Sequence, residues 1–177
     1  MARYNISPFQ MITLKDSQLR NAAQEGIDAF LNCIMEAIKD SCNQTLDANS
    51  MQKLNGSQIT LWAYYIVREE VMDGGFIQLI HNGYGPFIFD NPFAKAMRLW
   101  GLKDFSKLIY KAKELYDEHK EALTQECTDE EFMALFEQYP QFDDLDDSFI
   151  ENEELFTERI ARYVDENLTD FIAIEND

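Results

Sequence analysis

The chain has 177 residues, of which 46% are apolar and 13% aromatic, enough for a sizeable buried core; an intrinsically disordered chain is excluded. Seven Gly and four Pro are too few for a loop-rich all-β architecture. Thirty-three acids against fifteen bases give a formal charge of −18, which excludes nucleic acid and anionic membrane as direct ligands and favours cationic partners.

Taken in chain order, the hydrophobic periodicity predicts helices almost throughout. Asp16 or Ser17 caps a helix running to about Lys39, with Leu19, Ile27, Phe30, Leu31, Ile34 and Ile38 on one stripe. Only a weak alternation over Ile6 to Leu14 suggests a strand. Leu46 to Leu54 forms a short helix stopped by Asn55-Gly56, and Ser57 caps an apolar helix from Ile59 to Val71. Asp73-Gly74-Gly75 breaks it, and a second helical stretch runs from Phe76 to His81. Asn82 to Phe89 is read as loop. Asn91-Pro92 opens a short helix over Phe93 to Trp100. From Asp104, Phe105, Leu108, Ile109, Ala112, Leu115, Tyr116 and Leu123 recur at the spacing of one buried face. Thr128 to Glu131 is a capping box that leads into Phe132, Leu135 and Phe136, and Tyr139-Pro140 ends that helix. Asp143 to Ser148 is an acidic connection. A last helix spans Glu151 to Asn167, with Leu155, Phe156, Ile160, Tyr163 and Val164 inward. The expected fold is all-α: one domain over residues 1–177, a multi-helix bundle with acidic C-terminal helices.

The charge is confined. Residues 1–113 hold 11 acids and 12 bases, whereas 114–177 hold 22 acids and three bases, Lys120, Arg159 and Arg162. The acidic part also contains Phe132, Phe136, Phe142, Phe149, Phe156 and Phe171, which a merely solvating tail would not carry. It is expected to fold. Cys33, Cys42 and Cys127 form no CxxC pair and fit idle thiols in a reducing compartment. With no continuous apolar segment of membrane-spanning length, the expectation is a cytoplasmic protein.

Few residues offer chemistry. His81 and His119 are the sole histidines, and His119 lies beside the apolar stripe, as a boundary residue packing on the core would. Asp143 to Asp147 lacks the alternating ligands, mid-loop Gly and terminal Glu of a calcium loop, so no metal and no cofactor are expected. No GxSxG, HExxH or phosphate-binding glycine loop occurs, and the protein is read as no enzyme. One polar cluster does sit among apolar positions: Glu70, Asp73, Gly74, Gly75, Phe76, Gln78 and Asn82. Two adjacent glycines there imply a special dihedral or a close backbone approach. The plain reading is a hydrogen-bonded structural junction, and the alternative is a ligand pocket.

Preceded by Trp62 and Tyr65, the run Glu70-Val71-x-Asp73-Gly74-Gly75-Phe76-x-Gln78-x-x-x-Asn82 resembles the signature of the acidic DNA-mimic protein family, a small bacterial domain. Asp73 stands where the family usually has Asn. The likeness extends from Ala94 to Tyr110 and, more loosely, into the acidic helices. The resemblance implies an all-helical protein, dimeric in the mimic, whose carboxylates imitate duplex phosphates and occupy the DNA-binding face of a basic regulator or nucleoid protein. It assigns the motif no catalytic duty. The candidate partner-binding residues are the acids of the last third: Glu114, Asp117, Glu118, Glu121, Asp129, Glu130, Glu131, Glu137, Asp143, Asp144, Asp146, Asp147, Glu153, Glu154, Glu158, Asp165 and Glu166. An immunity-type protein neutralising a basic toxin is the alternative of a different kind.

Overall fold

The computed structural model describes residues 11–177. Among them the backbone forms nine α-helices, two short 3-10 turns and two three-residue strands, a predominantly α fold as the periodicity predicts. The alternating stretch over 6–14 lies mostly outside the described residues. The chain divides into two compact units, one of residues 11–62 and 160–177, the other of residues 63–159. Neither boundary coincides with the charge boundary after Lys113; both fall inside helices.

The first unit begins with β1 (Thr13–Lys15), which pairs in parallel with β2 (Ala173–Glu175), Leu14 opposite Ile174. The single helix predicted over 16–39 is two, α1 (Asp16–Glu25) and α2 (Ile27–Ser41). The break is at Gly26, whose φ of 130° a helix cannot accommodate and a residue with a Cβ would rarely adopt. Helix α2 buries Phe30, Leu31, Ile34, Met35 and Ile38, a three-and-four spacing that places all five on one face. Asp47 caps α3 (Ala48–Lys53) by accepting from the amides of Asn49 and Ser50, and the Ser50 amide holds its carboxyl below the usual carboxylate range. Helix α4 (Gly56–His81) is opened by Asn55, not by Ser57. The Asn55 Oδ1 accepts from the Gln58 amide while Gln58 Oε1 accepts from the Asn55 amide, a reciprocal cap one turn deep. The same two side chains donate to the Asp170 and Phe171 carbonyls, 2.8 Å each, and so tie the helix start to the returning C-terminal segment.

The second unit takes the rest of α4, then α5 (Gly85–Phe89), α6 (Phe93–Leu99), α7 (Lys103–Leu123), α8 (Asp129–Gln138) and α9 (Asp143–Glu166) up to Arg159. The stretch read as loop, 82–89, contains α5, which packs with α6 against α7. Asn91 is no side-chain cap; its amide donates to the Phe87 carbonyl instead. The Thr128–Glu131 capping box is present as predicted, Thr128 Oγ1 accepting from the Glu131 amide and Glu131 Oε2 from the Thr128 amide.

The acidic connection expected at 143–148 is the first turns of α9, so the last helix starts eight residues before Glu151. Charge alone had pointed to a loop, but Asp143, Asp144 and Asp146 occupy the end of a helix where the exposed amides and the macrodipole favour negative charge. Face assignments also differ in α9. Leu155 is 42% exposed while Glu153 is buried, so the apolar and the acidic letter exchange the roles that hydropathy gives them.

The aromatic core of this unit centres on Phe105, which is fully buried. Its ring lies 4.7 Å from Phe156 in a stacked pair, and 5.6 to 5.9 Å from Phe149, Phe93 and Tyr64. Side chains from α4, α6, α7 and α9 therefore meet on one ring. Phe105→Ala should cost about 3–5 kcal/mol and lower the melting temperature by roughly 10 °C, followed by far-UV circular dichroism.

Candidate functional site

At the family-like motif the backbone of α4 leaves helical geometry for two residues, Gly74 (φ −147°, ψ 18°) and Gly75 (φ 74°, ψ −176°), then resumes. The break frees amides that would otherwise bond back one turn. Asp146 of α9 supplies the missing acceptor: its Oδ1 takes the Phe76 N–H at 2.8 Å. It lies so close that a Cβ on Gly75 would collide with the carboxylate, and the positive φ disfavours any other residue there. On the other side of the kink, Gln78 and Asn82 both donate to Glu70 Oε2, at 3.1 and 2.8 Å, and Gln78 also donates to Asp73 at 2.9 Å. The polar side chains of the motif are thus engaged with one another. Glu70, Asp73, Gly74, Gly75, Phe76, Gln78 and Asn82 together form a braced bend.

Desolvation pushes the Asp146 carboxyl up to about 6; the Phe76 amide pulls the other way, and Asp143 and Asp147 add to the rise. Seven residues on, on the same face of α9, Glu153 is 7% exposed and bonded to Arg68 of α4 at 2.5 Å. Thr157 donates to Glu153 Oε1 at 2.8 Å, so the Tyr64 hydroxyl, 2.6 Å from Thr157 Oγ1, must be the donor of that pair. Two of the candidate binding residues, Asp146 and Glu153, therefore face inward and fasten α9 to α4.

The other fifteen are exposed. On α9, Asp143, Asp147, Glu154 and Glu158 fall on one outward stripe with Glu151, which is also exposed. Steps of four, four, three and four residues separate carboxylates by about 4.5–6 Å along the axis. Glu151 was missed because it stands at the predicted start of the helix, where a face cannot be assigned. On α7, Glu114, Asp117, Glu118 and Glu121 share a face; Asp117 is held by Lys113 at 3.0 Å, and Lys113 also reaches Asp90 at 3.5 Å. Helix α8 presents Asp129, Glu130, Glu131 and Glu137 and buries no residue fully. Asp165 and Glu166 belong to the other unit.

His119 packs on Tyr139, ring centroids 4.9 Å apart, with Glu118 at 3.8 Å from its Nε2. Among the described residues no group of three or more His, Cys, Asp or Glu is placed to hold a metal ion, and no helix is long and apolar enough to cross a membrane. An open groove of about 700 Å³ lies in the first unit, lined by Leu14, Gln18, Asn21, Cys33 and Glu36 among others.

Comparison with known proteins gives two findings. Residues 52–167 match the family model described as DMP19-like protein. The chain is also 33% identical over 152 residues to a protein of Neisseria meningitidis serogroup B (strain ATCC BAA-335 / MC58) named DNA mimic protein DMP19, covering 85% of this chain and 92% of that relative. The matched span contains the bend, α7, α8 and α9 to its end.

Two expected outcomes test the bend. Gly75→Ala should destabilise by about 1–3 kcal/mol, through the positive φ and the collision with Asp146, read as a lower urea midpoint at unchanged slope. Asp146 binds its proton more tightly folded than unfolded, so its ionisation costs stability as pH rises from about 4 towards 6. Asp146→Asn keeps the acceptor for Phe76 and removes the charge. It should equal the wild type below about pH 4 and exceed it by about 1–3 kcal/mol well above pH 6, where Asp146 is ionised in both states, measured by urea melts across pH.

Proposed function

Because the chain belongs to the DMP19-like protein family, we propose that it works as a DNA mimic whose outward carboxylates on α7, α8 and α9 occupy the DNA-binding face of a basic regulator or nucleoid protein in the cytoplasm. The observation that carries this reading is the α9 stripe, Asp143, Asp147, Glu151, Glu154 and Glu158, on a helix whose rotation is fixed from behind by Asp146 and Glu153. Each strand of duplex DNA offers one charge per about 3.4 Å of axis. One helix supplies a charge per about 4.5–6 Å. The acids of α7 and α8 provide the remainder. Rigid carboxylates meet a cationic surface without first being ordered, which lowers the entropic cost of association. Binding in this reading has no catalytic step, and a homodimer doubles the acidic surface for a two-fold symmetric regulator.

The test is a capture from the native cytosol at low salt, followed by a titration of the purified DNA-binding protein against labelled duplex. The protein should displace duplex competitively, and its affinity should fall linearly in log–log form with salt. The triple reversal Asp147→Lys, Glu151→Lys, Glu154→Lys should weaken displacement at least about tenfold, since three contacts of 0.2–1 kcal/mol become repulsive, while leaving the melting curve in place. A partner that proves to be a nuclease blocked at its active site would make this an immunity protein. Unchanged displacement by the reversal would move the surface away from α9.

A further inference from the structure

Cys127 sits in the turn between α7 and α8, immediately before the capping residue Thr128, and is exposed. Its Sγ lies 4.0 Å from Nε2 of His81 at the end of α4. The other ring nitrogen, Nδ1, is 2.9 Å from the Leu123 carbonyl oxygen. A carbonyl only accepts, so Nδ1 carries a proton, and in the Nδ1–H tautomer of the ring the lone pair of Nε2 faces the thiol. Phe132 packs on the imidazole with centroids 4.7 Å apart, which fixes the ring from a third direction. Nucleophile, base and an orienting acceptor for the base are thereby assembled from two separate stretches of chain, the end of α4 and the segment from Leu123 to Cys127.

The remaining cysteines are unlike this one. Cys42 is buried with its Sγ against the Ser50 carbonyl, and burial pushes the half-buried Cys33 thiol up, away from the reactive thiolate. The surroundings of Cys127 also select by charge: Glu126, Asp129, Glu130 and Glu131 are all exposed around it. They repel an anionic reagent and concentrate a cationic one.

We propose that Cys127 is a reactive thiol, set up by His81, that undergoes exchange with small cationic disulfides of the aminothiol class. The Sγ proton passes to Nε2, and the thiolate attacks one sulfur of R–S–S–R. A bond forms between Cys127 Sγ and that sulfur, the old S–S bond breaks, and RS⁻ leaves with the electron pair and is protonated by the His81 imidazolium. Cys127 is oxidised to the mixed disulfide and one half of the reagent is reduced. Each adduct places a positive charge in the acidic third of the chain. The site is independent of any DNA-mimic role.

The test is a set of exchange rates on the full chain at pH 7 and low salt, with cystamine, 2-hydroxyethyl disulfide and oxidised glutathione, the adduct mapped by peptide mass spectrometry. A single adduct is expected on Cys127, cystamine reacting at least about tenfold faster than oxidised glutathione, with the gap closing in high salt. The native rate with the neutral 2-hydroxyethyl disulfide should exceed that of the same chain in urea at pH 7. His81→Asn, whose amide can still donate to Leu123, should slow the native reaction about tenfold at pH 7 and far less at pH 9, where any thiol ionises. If the native rate does not exceed the urea rate, or a folded His81→Asn protein reacts as fast as wild type, the assignment is overturned. If oxidised glutathione reacts fastest, the cationic class is wrong.

Discussion

Two carboxylates of the most acidic helix are turned away from solvent, and the behaviour of that helix depends on them. Asp146 accepts the Phe76 amide at the bend of α4, and two helical turns later Glu153 meets Arg68 and Thr157. Taking a carboxylate out of water is costly; Arg68 and Thr157 offset that cost at Glu153, whereas at Asp146 the single Phe76 amide offsets only part of it and the carboxyl keeps a raised proton affinity. What the pair provides is orientation. With two inward anchors seven residues apart, α9 cannot roll about its own axis, and the side that carries Asp143, Asp147, Glu151, Glu154 and Glu158 is held towards solvent.

Like charges at four-residue spacing destabilise a helix by a few tenths of a kcal/mol for each pair. Several features counter this in the acidic third. Acids cluster in the first turns of α8 and α9, where the positive pole of the helix favours them. Fully buried Phe142 and Phe149 lie among them in sequence, and the rings of Phe149 and Phe156 join the cluster around Phe105. Apolar burial of this size outweighs surface repulsion by several-fold. A sequence this acidic therefore keeps its charges at fixed positions on rigid helices, a property that a flexible tail of the same composition lacks.

Much of this was legible in the residues and some was not. The α7 stripe, the Thr128 box and the break at Gly74-Gly75 follow from spacing and local chemistry, which act within one helical turn. Gly26 escaped because an isolated glycine in a periodic stretch is tolerated as often as it ends a helix; only its φ of 130° decides. The start of α9 and the inward turn of Glu153 depend on contacts with α4, some seventy to eighty-five positions away in sequence, where Phe76 and Arg68 wait. Composition marks such acids as solvated, and no local pattern distinguishes the two that are not. The His81–Cys127 approach is equally non-local, since it needs the turn after α7 to return to the end of α4.

The first unit is assembled from two distant stretches, 11–62 and 160–177, and the second from a single uninterrupted one. On the ribosome this sets an order. Every residue of the second unit has been synthesised before the segment bearing β2 is made, so its aromatic cluster can close while α1, α2 and α3 still lack the strand that pairs with β1. Chain growth at about 5–20 residues per second leaves the early helices waiting for seconds with apolar faces uncovered. That pairing, Thr13 opposite Ala173, carries the loop-closure cost of a distant contact, and nascent chains halted before residue 160 would expose this half to chaperones and proteases.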